Sequence, residues 1–228
     1  MLMNLLKNRD KTADRKGNEL SDEEKLCRAL GQFKAALDHI ESYAVVVEDL
    51  DNKTLNERKQ SFTDGYLNIL RKSLFYDYVL GCIGIDESEM PGIYPRTENR
   101  LPSKKLEDFN LKDKCILIHY RKPWSVAAQC KMLQDDKPLI GEKYYYYEKL
   151  GIGYPKFGNH RVISAAMKDY DLIAEEVEVL DDQIFIDTLE IREMHWYRKG
   201  EDVSLGDVTD YRIALIFTIL QETQNRRL

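Results

Sequence analysis

The chain reads as a mixed α/β protein, α/β or α+β in class, with a helical region ahead of a region where strands and helices alternate. Two amphipathic helical stretches lie before residue 85. After residue 114, strand-like runs ("CILIH", "KYYYYEKLGI", "DLIAEEVEVL") are separated by helix-like ones. Hydrophobic residues make up 43% and charged residues 32%, enough apolar material for a core and too much for wholesale disorder. The 228 residues divide into a loosely held tail at 1–17, a helical region at 18–85, a linker or surface loop at 86–114 and an α/β domain at 115–228. No internal repeat is visible.

In the first helical stretch, residues 21–50, Ser21 stands three residues before Glu24, a capping box in which each side chain satisfies a free backbone N–H of the first turn. Leu26, Leu30, Phe33, Leu37, Ile40 and Ala44 then recur at spacings of three and four and predict one buried stripe. The polar run "DNKTLNERKQS" reads as an interruption. A second helix is predicted over 64–81, with Asp64 as N-cap and Gly81 as its stop. Residues 86–114 carry three prolines, many charges and no period. "CILIH" (115–119) predicts a strand, and Pro123 opens a predicted helix over 123–136. Tyr144 to Tyr147 predict a strand with two tyrosines on each face, one face inward and the other exposed; a base-stacking platform is the less ordinary reading. A short helix is expected over about 159–168 and a strand over 171–180, with 183–191 a further strand candidate. The chain closes on a helix with an apolar face at Ile213, Leu215, Ile216 and Leu220, and Arg226 and Arg227 suit its negative end.

Cys27, Cys82, Cys115 and Cys130 form no CxxC pair, which argues against a disulfide framework or structural zinc and for buried thiols in a reducing compartment. Cys115 is expected on a strand and Cys130 on a helix, both packed as small apolar groups. A net charge of −6 disfavours a broad grip on nucleic acid. "IALIFTIL" is far short of a membrane span, and the opening segment has its apolar patch before its charges, the wrong order for a secretory leader. The expectation is a cytoplasmic protein without a membrane partner. His39, His119, His160 and His195 show no HxH or HExxH spacing. His39 reads as structural, and His195, beside Trp196 and Tyr197, as a core or interface residue. No GxxxxGK[ST] or GxSxG motif occurs.

The informative stretch is "YPKFGNHRVISAAMKDY". A helix start leaves backbone N–H groups unpaired and carries partial positive charge. Gly158 lets the main chain approach a ligand, Asn159 is an N-cap and a donor, His160 can donate a ring N–H, and Arg161 adds a fixed cation whose fork suits phosphate. Together they describe an anion site with phosphate as the natural guest. The plainer alternative has Asn159 only capping, His160 bonding a loop carbonyl and Arg161 pairing with Glu175 or Glu176.

The order of elements around this turn resembles the ParB/sulfiredoxin superfamily, over about residues 115–182. "CILIHYRKPWSVAAQCKML" resembles its first strand and helix, "YPKFGNHRVISAA" its phosphate turn and following helix, and "DLIAEEVEVLDD" its returning strand. The resemblance implies a mixed sheet with helices, and nucleotide phosphates bound by Gly158, Asn159, His160 and Arg161, with Arg121 as a second cation at the same cleft. Sulfiredoxins place their catalytic cysteine just before the His-Arg pair, where this chain has Asn159, so sulfiredoxin repair is not expected. If the guest is a nucleoside triphosphate, magnesium accompanies it. Asp181 and Asp182, with Asp187, are then the acids to hold the metal, against the plainer reading that acids at a strand end are solvated. The second motif of partition proteins has no clear match in "DDQIFIDTLEIRE", and no helix-turn-helix module follows.

The expected function is therefore binding of a nucleotide or another phosphate-containing small molecule at the 158–161 turn, extending to phosphoryl transfer or hydrolysis if the protein is an enzyme. No nucleophile or base is identified. Two other classes stay open: a non-catalytic interaction module of a mobile element or regulatory system, and a nuclease of the same superfamily, which the acidic charge disfavours. A homo-oligomer also stays open.

Overall fold

A computed structural model describes residues 20–44, 54–84, 92–95, 101–112, 114–118, 139–156, 159–169 and 171–225. The expectations for the tail at 1–17, the helix at 123–136 and the environments of Cys130, His119, Arg226 and Arg227 lie outside these residues.

Helix α1 (Asp22–Ala44) starts on the expected capping box: the Ser21 N–H donates to Glu24 Oε2 at 2.7 Å, and the Glu24 N–H donates to Ser21 Oγ at 3.2 Å. Leu26, Phe33 and Leu37 are buried, as the stripe predicts. Helix α2 (Leu55–Gly84) is longer than predicted. It begins nine residues before Asp64 on a second capping box, in which the Thr54 N–H donates to Glu57 at 2.7 Å and the Glu57 N–H to Thr54 Oγ1 at 3.3 Å. The run "LNERKQS" is polar but contains no helix breaker, so capping rather than polarity sets the boundary. Asp64 lies within the helix and accepts from Gln60 at 2.8 Å; Gly81 lies inside it as well.

The 86–114 stretch supplies structure rather than only a surface loop. Strands β1 (Ser103–Leu106) and β2 (Phe109–Asn110) both pair antiparallel with β6 (Leu172–Leu180). With β3 (Cys115–Ile116), β4 (Leu139–Tyr147) and β5 (Ile152–Pro155) they form a mixed sheet of order β1-β6-β4-β5-β3, with β2 beside β6. The β4–β6 and β3–β5 pairs are parallel and β4–β5 is a hairpin. Helix α3 (Asn159–Lys168) connects β5 to β6. The 183–191 segment is not one strand: α4 (Gln183–Thr188) precedes β7 (Leu189–Arg192), which forms an antiparallel meander with β8 (His195–Arg198) and β9 (Ser204–Asp207). Helix α5 (Tyr211–Asn225) closes the chain.

Both faces of the main sheet are covered, which corrects the expectation of an exposed tyrosine face. Tyr144 and Tyr146 point to the side of Val162, Ile163 and Ala165 of α3, together with Val177 and Val179. Tyr147 and Tyr154 face the other core, with Leu150, Ile152, α5 and the second sheet. Strand β3 shows the same alternation, with Cys115 and the following Leu117 on one side and Ile116 and Ile118 on the other. Burial pushes the Cys115 thiol up to about 12, so it packs as an apolar group. Helix α5 presents more than a face: Ile213, Ala214, Leu215, Ile216, Phe217 and Ile219 are all at 0% exposure, so it is surrounded. Helices α1 and α2 bury their stripes in this same core, through contacts such as Phe33 with Tyr66 at 5.2 Å between ring centroids. Arg212, at the start of α5, bonds Asp210 at 2.7 Å and also bonds Asp77 of α2.

The turn between β4 and β5 is held from two directions. Arg71 of α2 donates to the carbonyls of Leu150 (2.9 Å) and Lys149 (3.3 Å). The buried carboxylate of Asp182 accepts from the N–H groups of Lys149 (2.7 Å) and Leu150 (3.1 Å), and from the hydroxyl of Tyr94 (2.7 Å). Gly151 has φ +71°, and a Cβ there would land on the Arg71 guanidinium. Burial raises the Asp182 pKa, and its three donors offset part of that shift. An acid with a raised folded pKa binds protons better folded than unfolded. Its contribution to stability therefore falls as pH rises from the ordinary aspartate value through the folded value, and is flat above.

Asp182→Ala leaves buried donors without an acceptor, and about 3 kcal/mol of destabilisation is expected, a melting temperature lower by roughly 6–12 °C at neutral pH. A loss within ±1 °C would remove this account of the turn. Gly151→Ala should cost more than Gly200→Ala. Both sites have positive φ, so both pay the left-handed strain of ~1–2 kcal/mol, but nothing lies within 4 Å of a Cβ at Gly200. Paired denaturant melts measure the difference, which is the contribution of the Arg71 contact.

Candidate functional site

The predicted anion turn sits where the sheet hands the chain to α3. Strand β5 ends at Pro155, and the Lys156 N–H donates to the Lys143 carbonyl at 2.8 Å. Strand β3 runs parallel to β5, and the pairing continues past it through the Leu117 N–H, which donates to the Gly153 carbonyl at 2.8 Å. Both strands therefore point to the same end of the sheet, β3 toward Ile118 and β5 toward Pro155. Helix α3 begins at that end and lies along the sheet face, fixed by buried Val162, Ile163 and Ala165. Its 10 residues make it about 15 Å long. Its first turn contains no acidic residue, and Arg161 stands in it half-buried.

Gly158 and Arg121 lie outside the described residues, as do the side chains of Asn159 and His160. Of the five predicted phosphate-site residues, the structure therefore gives the backbone of three at the helix start and the side chain of Arg161 alone.

The acids proposed for a metal are not brought to this turn. Asp181 and Asp182 follow Leu180, which pairs with Tyr147 at the closed end of the β4–β5 hairpin. Helix α3 starts at the open end, where Tyr144 pairs with Pro155, ~10 Å or more away along the strands. Both oxygens of Asp182 already accept protein hydrogen bonds. Asp181 Oδ1 accepts from the Gln183 N–H at 3.1 Å, and Asp187 from the Gln183 side chain at 2.8 Å. Among the described residues no group of three or more His, Cys, Asp or Glu is arranged to hold a metal ion. His195 Nδ1 lies 2.7 Å from Asp207 Oδ1 on the second sheet, a partly exposed pair between β8 and β9, and His39 is exposed on α1.

The residues that sequence reasoning missed are Arg71, Tyr94 and the lysines near β3. Arg71 bonds main-chain carbonyls, which any sequence supplies, so no spacing signals it. Tyr94 meets Asp182 from 88 residues away. Lys112 donates to the Asp169 carbonyl at 3.1 Å, just past the end of α3, and Lys114 lies 5.5 Å from the Phe109 ring.

Among the described residues no helix is long and apolar enough to cross a membrane. No curated protein and no solved structure matches the chain. A family described as "Family of unknown function (DUF6710)" matches residues 8–227, nearly the whole length, and the chain belongs to that family.

Proposed function

We propose that the start of α3 binds the phosphate of a nucleotide or of another small phosphate-containing molecule, on a core of ParB/sulfiredoxin-like type. The observation that carries this reading is a helix whose first turn holds a guanidinium and no carboxylate, placed at the shared carboxyl end of the parallel strands β3 and β5. In open α/β sheets ligands collect outside the carboxyl ends of strands, and helix N-termini favour anions. The order of elements also supports it: a strand at 115–116, a hairpin, α3, and a strand returning beside β4. Arg161 supplies the fork for phosphate oxygens, the N–H groups of the first turn supply the rest, and Gly158 allows close approach. Arg121 follows Ile118 by three residues and is the second cation of the proposal. With Asp181 and Asp182 at the far end of the hairpin, any magnesium arrives with the phosphates rather than on these acids. The reading assigns binding and no catalytic step.

The test is thermal shift with nucleoside mono- and triphosphates, with and without magnesium, on wild type and Arg161→Gln. A ligand at about a hundredfold its Kd adds ~2.7 kcal/mol, a rise of roughly 5–10 °C for a chain of this size. Arg161→Gln should weaken the responding nucleotide at least tenfold, the loss of one charge-assisted contact. Melting curves that no phosphate compound moves would sink the proposal.

A further inference from the structure

We draw no further inference here: the strongest candidate, the cleft of about 560 Å³ between α1, α2 and the end of α5, is lined by the side chains of Glu57, Lys59, Gln60, Thr63 and Thr223, which are already bonded within the protein, so nothing in it points to a ligand.

Discussion

The fold depends on a turn with two charges pressed on it from different directions. Asp182 collects the N–H groups of Lys149 and Leu150, and Arg71 collects their carbonyls. The two ions act on one peptide segment rather than on each other. That arrangement satisfies the polar backbone of a buried turn, which water cannot reach. It also joins parts remote in sequence: α2 through Arg71, the 92–95 segment through Tyr94, and the end of β6 through Asp182. Without Asp182 the Tyr94 hydroxyl and two amides lose their acceptor together, so the energetics of the three are coupled and single substitutions will not add.

The turn also governs the candidate site, because the β4–β5 hairpin has two ends. The clamped end is tied to α2 and β6; the open end launches α3. Tyr144 and Tyr146 press on α3 from one face of the hairpin, while Tyr147 and Tyr154 press on the α5 core from the other. A shift of register by one residue would exchange these two sets of side chains. The orientation of the helix start therefore inherits its precision from a contact at the other end of the hairpin, with the tyrosines as spacers between two cores.

The local signals in the sequence were legible where one physical rule decided the outcome. The Ser21 capping box, the α1 stripe, β6 and the extent of α3 follow from capping and periodicity alone. The start of α2 is as legible in principle, since Thr54 and Glu57 form the same motif as Ser21 and Glu24, but the polar run around it hides the cap. Residues 183–188 failed for a different reason: "QIFIDT" alternates well enough for a strand, and its helical state is a consequence of docking Phe185 and Ile186 under α5. The tyrosine faces are both covered where alternation predicts one exposed, because alternation tells how side chains divide between faces and says nothing about what covers each face. At the candidate site the sequence offered residue types, and only the pairing of β3 with β5 places the two chain exits together. Neither sequence reading of Asp182, metal candidate or solvated acid, finds its structural role, because its donors are two main-chain amides and a tyrosine 88 residues away.

The two ends of α3 differ in what a nearby charge means. At the carboxyl end the helix dipole favours cations, so Lys112 donating to the Asp169 carbonyl needs no ligand to explain it. At the amino end the same dipole opposes a cation by ~0.3–1 kcal/mol, and Arg161 stands there without an acid in the first turn. The informative charge in each region is the one that runs against its surroundings. At the helix start that is Arg161, set against the dipole.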